Sequence, residues 1–93
     1  MISKEREYLN RIRDVLKERR IALSLKQSLA AEKAGIKVRT LQHFEQTGNI
    51  SLLNLLKLLV LYRMDTKAVA GIEDRGQWAL EELERAETVK RVR

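Results

Sequence analysis

Ninety-three residues with a net charge of +6 and a pI of about 10.0 bound one small domain with an anionic partner: nucleic acid, an acidic protein or anionic lipid. The absence of cysteine and the single histidine exclude disulfides, zinc fingers, thiol chemistry and a histidine metal cluster. With no proline, four scattered glycines, one Trp, two Tyr and one Phe, the chain has neither a phosphate-cradling loop nor a stacking platform for single strands.

Residues 5–23 read as the first helix. Leu9, Ile12, Leu16, Arg20 and Leu23 fall on one stripe, supported by Tyr8 and Val15. Arg20 is the odd member, because a charge on an apolar stripe is costly unless it is paired. Arg6, Arg11, Arg13, Lys17 and Arg19 lie off the stripe and read as a solvated face. The first ten residues are rich in polar and charged side chains, unlike a secretory signal.

A connector over residues 22–26, with Leu25 as its buried hinge, leads into a short helix carrying Ala30, Ala31 and Ala34. These side chains are small enough to let another helix approach closely. Gly35 stops that helix, since only glycine takes a left-handed conformation without strain. Ile36 then packs inward and a second helix starts near Lys37. On a wheel of about 100° per residue, Thr40, Leu41 and Phe44 form the inner side. Val38, Arg39, Gln42, His43 and Gln46 share the opposite arc, with Glu45 at the flank. That outer arc is mostly donors and acceptors with almost nothing to pack against. It suits the major groove of DNA, which admits one helix and offers base edges to such side chains. A solvated surface helix is the plain alternative. The alanine helix, the glycine turn and the basic chain together weigh against it.

Thr47-Gly48-Asn49 ends the second helix, and Ser51 can cap the next. Residues 52–62 form a fourth helix that is too apolar for one buried face. Leu52, Leu53, Leu55, Leu56, Leu58, Leu59 and Val60 cover well over half its circumference, leaving a wedge of Asn54, Lys57 and Leu61. Either the helix is fully enclosed, or its surplus meets another subunit and predicts a homodimer. It falls far short of the ~20 residues that span a bilayer, so no membrane role is expected. Asp65 is expected to cap a short fifth helix over residues 66–70, with Gly71 and Gly76 bracketing a turn. This places a domain at residues 5–70 and a C-terminal extension at 71–93. Within the extension, residues 78–88 have helical composition: Trp78, Leu80, Leu83 and Ala86 stand among glutamates. Trp78 reads as an anchor, either onto the domain or onto a partner protein. Residues 89–93 are a basic tail. There is no internal repeat and no strand pattern of useful length.

From Leu9 to about Tyr62 the chain resembles the helix-turn-helix domain of the lambdoid phage repressors and Cro proteins, the Xre-like family. Residues 20–27 look like that family's exit from helix one. Ala31, Gly35 and Ile36 sit at its small, turn and hydrophobic positions, and Thr40-Leu41 and Phe44-Glu45 at its inner recognition-helix positions. The resemblance implies an all-α, five-helix domain, with Gln27 reaching a phosphate and bracing the recognition helix. It puts Val38, Arg39, Gln42 and His43 where the family reads bases, and it matches Arg20 and Glu45 to a buried ion pair. There are three departures. Lys26 and Lys37 stand where the family usually has a serine or threonine cap, and Ala30 replaces a larger core residue. Residues 44–52 also resemble the HipB-type antitoxins, with restriction-modification controllers and free-standing phage regulators as rival branches.

The sequence therefore points to a double-stranded DNA-binding regulator acting on a palindromic operator as a homodimer, a repressor working in the cytoplasm at the nucleoid. Its candidate DNA-contacting residues are Gln27, Lys37, Val38, Arg39, Thr40, Gln42, His43 and Gln46. Lys37 is among them because an uncapped helix start with an ammonium beside it attracts phosphate. The alternative is an antitoxin whose main task is to bind a co-encoded toxin. An enzyme is disfavoured, since no nucleophile–base constellation exists and no cofactor or metal is expected.

Overall fold

The fold is all-α. A computed structural model describes residues 1–74 together with residues 84 and 85, so the expectations for Gly76, Trp78 and the basic tail lie outside the described residues. Five helices follow one another: α1 (Lys4–Ala22), α2 (Gln27–Ala34), α3 (Val38–Thr47), α4 (Leu52–Leu61) and α5 (Asp65–Glu73). No helix among the described residues is long and apolar enough to cross a membrane.

The helix ends follow from local chemistry. Ser3 and Ser51 cap α1 and α4, their hydroxyls accepting from the amides of Arg6 (3.1 Å) and Asn54 (3.2 Å). Gly35 and Gly48 close α2 and α3 at φ +76° and +80°. Gly48 is required twice over: a Cβ there would stand 3.2 Å from the Leu9 carbonyl oxygen, where α3 abuts α1. α1 and α4 end without glycine. Ser24 (φ 56°) and Arg63 (φ 60°) take the left-handed conformation instead. Each is held by paired bonds of the Schellman type: Leu25 N to Arg20 O with Ser24 N to Ile21 O, and Met64 N to Leu59 O with Arg63 N to Val60 O. α5 departs from the expected pattern at both ends. Asp65 is its first residue rather than its cap, where a carboxylate still favours the positive end of the helix. Gly71 does not break it, because its backbone has no positive φ and nothing crowds the position. Glycine inside a helix costs only about 1 kcal/mol relative to alanine.

Leu16, Ala30, Ala31, Leu41, Phe44, Leu58, Leu59 and Tyr62 form the buried core. α2 packs on α3 and α4, α1 packs on α3, and α5 packs on α4. Ala30 is fully enclosed, so the small side chain is matched by close approach rather than by a void at the surface. Two expectations need correction. The α1 stripe is buried only at Leu16 and Arg20; Tyr8, Ile12 and Val15 are exposed, since α4 and α5 form the far wall of a groove there rather than a cover, and Leu23, the C-cap residue, is exposed as well. Arg6 and Arg19 are not merely solvated. Arg6 donates to the Thr47 carbonyl (2.6 Å) and to Asn49 Oδ1 (3.2 Å), and Arg19 to the Tyr62 carbonyl (3.1 Å). They bind the C-terminal ends of α3 and α4, where carbonyls lack helical partners and attract cations. α4 is not enclosed. Leu58 and Leu59 are buried, but Leu52, Leu53 and Val60 are 60–70% exposed.

Arg20 and Glu45, both buried, form a two-point ion pair between α1 and α3: Nε to Oε2 at 2.7 Å and Nη2 to Oε1 at 3.0 Å. Arg20 Nη1 also donates to the Leu25 carbonyl (2.8 Å), and Gln27 Nε2 donates to Glu45 Oε1 (3.0 Å). The hydrogen bond to Glu45 holds the Arg20 pKa above its ordinary value. Tyr62 is fully buried beside this cluster, and its hydroxyl has no hydrogen-bond partner among the described residues. Burial, reinforced by the negative charge of Glu45, pushes its pKa up to about 12.

Arg20→Ala should destabilise the domain by about 3–5 kcal/mol, because Glu45 is left buried and unpaired. Arg20→Met combined with Glu45→Leu should recover much of that loss in a denaturant titration. A wild-type melt for Arg20→Ala would mean that the pair is energetically a surface contact.

Tyr62→Phe should stabilise the fold by about 1 kcal/mol at neutral pH, the low end of the penalty for an unsatisfied buried donor. The folded state holds the Tyr62 proton more tightly than the unfolded chain does. Its contribution is therefore intact below the ordinary pKa of about 10 and falls as pH rises toward about 12. The loss reaches about 2–3 kcal/mol at most. The gap in stability between Tyr62→Phe and wild type should accordingly widen across that window. A constant gap would show that Tyr62 does not titrate differently on unfolding.

Candidate nucleic-acid interface

The candidate surface is built on α2, the Gly35 turn and α3. α2 ends with Gly35 in the left-handed conformation, its amide bonding to Glu32 O and that of Ile36 to Ala31 O. The turn therefore needs no side chain of its own to close, and Ile36 is free to pack on the core. α3 then leaves with Leu41, Phe44 and Glu45 inward. Its register is fixed at its C-terminal end. Glu45 is clamped by Arg20 and Gln27, and the Thr47 carbonyl is held by Arg6.

With that register set, Val38, Arg39, Gln42, His43 and Gln46 all face solvent, as the wheel predicts. The side chains of Arg39, Gln42 and His43 make no hydrogen bond or ion pair with any other described residue, so their donors and acceptors are available. Thr40 is half-buried on the edge of this face. Gln27 is half-buried as well, and the bracing half of its expected role is visible in its bond to Glu45.

Lys37 is the N-cap residue of α3 and Lys26 that of α2; neither supplies a side-chain cap bond. An uncapped start costs about 0.5–2 kcal/mol relative to serine or threonine, and an ammonium opposes the positive helix end. Both features become favourable beside an anion. The contrast with the serine-capped α1 and α4 is internal to the same domain.

Residues that sequence reasoning passed over as punctuation also belong to this surface. Arg39, Thr40 and His43 share a shallow cleft of about 500 Å³ with Asn49, Ile50 and Ser51. The Gly48 turn brings the start of α4 beside the outer face of α3, which a wheel of α3 alone does not show. Arg13 also approaches the C-terminal end of α3, its guanidinium 3.5 Å from the Gln46 carbonyl while its Nε pairs with Asp14. Among the described residues, no three His, Cys, Asp or Glu side chains come together in a way that could hold a metal ion.

The profile of a family described as Helix-turn-helix matches residues 16–67, more than half of the chain. No curated protein and no solved structure matches it. The matched stretch contains α2, the Gly35 turn, α3 and α4 whole, with Arg20 and Glu45 both inside it. A short helix, a glycine turn and a second helix whose polar face is free in a basic chain are what this family uses on nucleic acid, and the chain belongs to the Xre-like helix-turn-helix family of DNA-binding proteins.

Proposed function

We propose that this protein is a sequence-specific transcriptional repressor that binds a palindromic operator as a homodimer, in the cytoplasm at the nucleoid. The observation that carries the proposal is the outer face of α3: exposed, polar, free of internal partners and held rigidly from beneath by the Arg20–Glu45–Gln27 cluster. Val38, Arg39, Gln42 and His43 enter the major groove. Arg39 suits guanine and Gln42 suits adenine, each through two hydrogen bonds. Thr40 and Gln46 contact the edges of the same site. Gln27, Lys37 and the starts of α2 and α3 meet phosphates, which position the helix without carrying sequence information.

One such helix reads only a few base pairs, so two-fold symmetry is needed for useful specificity. The outward face of α4 supplies a surface for it: Leu53 and Val60, with Leu56 and Leu61, line an apolar cleft flanked by Lys33 and Lys57. The same cleft favours the second reading, an antitoxin that clamps a co-encoded toxin. Stable co-purification with the neighbouring gene product would select that reading.

Sequencing of random DNA fragments retained by the purified protein should yield a two-fold symmetric motif, and sedimentation at micromolar concentration should show twice the chain mass. Absence of any enriched motif would overturn the proposal; a monomer bound to a single half-site would remove the dimer from it.

On the selected site, Arg39→Ala or Gln42→Ala should each weaken binding by about 1–3 kcal/mol and relax preference at one position per half-site. Equal losses on random DNA would make them phosphate contacts instead.

Lys37→Ser should act with opposite signs on stability and binding. The melting temperature rises, with about 0.5–2 kcal/mol gained from the new cap. DNA binding weakens similarly on specific and random sequences, and the salt slope falls by roughly one counterion. An unchanged affinity and salt slope would show that this end of α3 does not face the backbone.

A further inference from the structure

The cleft beside α3 has a hydrogen-bonding polarity that is set from α1. Arg39, Thr40 and His43 of α3 line it together with Asn49, Ile50 and Ser51, and no acidic side chain is among them. Arg6 of α1 reaches the same loop. Its Nη1 donates to the Thr47 carbonyl (2.6 Å) and its Nη2 to Asn49 Oδ1 (3.2 Å). A guanidinium has only donors, so the carboxamide of Asn49 is obliged to turn its oxygen toward Arg6. That leaves the two N–H donors on Nδ2, which make no hydrogen bond with any described residue, on an exposed side chain. The backbone of Asn49 is held as well. Its amide donates to Thr47 Oγ1 (3.1 Å), whose own proton goes to the His43 carbonyl (2.7 Å). Ser51 Oγ accepts from the Asn54 amide (3.2 Å), which leaves its hydroxyl proton for another acceptor. The side-chain acceptors of this loop are thus engaged inside the protein, and its donors are left over.

On the reading of α3 as the major-groove helix, on which this rests, we infer that the cleft seats a DNA phosphate. Asn49 donates to it, and Arg6 is the positioning residue that turns the Asn49 carboxamide. Groove dimensions put a phosphate there. The major groove is about 12 Å wide, and a helix with its side chains fills about 10–12 Å of it. A loop flanking α3 therefore meets the edge of the groove, which is backbone. Phosphate oxygens accept and never donate, so they match the side of Asn49 that Arg6 leaves open. The contact holds the register of α3 on the duplex without carrying sequence information.

Asn49→Ala should weaken binding roughly tenfold, the cost of a hydrogen bond to a charged group, and equally on the selected site and on random duplex DNA. The salt slope should keep its wild-type value, because no cation is removed. Asn49→Asp should weaken binding further, since a carboxylate then faces the phosphate. Its melting temperature should nevertheless equal or exceed that of the wild type, since Arg6 gains an ionic partner. Arg6→Met should weaken binding in the wild-type background and add no further loss in the Asn49→Ala background. If Arg6→Met fails to fold, the opposite signs expected of Asn49→Asp decide in its place, because they require Arg6 to face Oδ1. Wild-type affinity in both Asn49 variants would overturn the inference and leave the DNA-binding reading standing. Equal losses from Arg6→Met in the two backgrounds, or a lowered melting temperature for Asn49→Asp, would overturn the positioning role of Arg6. A wild-type protein that binds no duplex DNA would overturn the DNA-binding reading itself, and the phosphate seat with it.

Discussion

The Arg20–Glu45 ion pair is the constraint on which the rest of the arrangement depends. One guanidinium spends its donors on Glu45 in α3 and on the Leu25 carbonyl in the connector, and Gln27 of α2 completes the coordination of the same carboxylate. Three helices and a turn are thereby referred to a single buried charge pair. Such a pair adds little net stability over a well-packed apolar substitute, because desolvation offsets most of the Coulomb attraction. Its energetic weight lies in the penalty for separating the partners. A rotation of α3 that broke the pair would strand two charges in the interior, so the face that α3 turns outward is set with high fidelity.

Around that pair the motif helices are bounded differently from α1 and α4. α2 and α3 begin on lysines without side-chain caps and end on left-handed glycines, while α1 and α4 begin on serine caps. The buried alanines of α2 allow the close packing that brings its neighbours together, and Gly48 permits α3 to abut the backbone of α1. The arginines of α1 serve this geometry directly. Arg6 and Arg19 hold the ends of α3 and α4 through carbonyls that the helices themselves leave without partners. These two positive charges are therefore structural as well as solvating.

α4 shows the limit of a small domain. A helix of 10 residues with eight leucines or valines cannot turn all of them inward when only short helices are available to cover it. The excess emerges on two sides, toward α1 and α5 and toward the edge of α2.

Much of this was legible in the sequence because it depends on residues close together in the chain. The glycine stops at Gly35 and Gly48, the Ser51 cap and the inner and outer arcs of α3 follow from local dihedral preference and helical period, and the structure places them as read. The pairing of Arg20 with Glu45 came from the anomaly of a charge on an apolar stripe, joined to the family resemblance. What tertiary structure alone decided involves groups far apart in sequence. Arg6 and Arg19 on backbone carbonyls about forty residues away, Asn49 and Ser51 beside Arg39, the orphan hydroxyl of Tyr62 and the open groove beside Ile12 have no local signature. Even the passage of α5 through Gly71 was a tertiary outcome, since a penalty of about 1 kcal/mol is small enough for packing on α4 to override. Periodicity and capping fix which face each helix presents. Which of those faces is covered is settled only when the helices meet, because burial is a property of the assembled surfaces and not of any one segment.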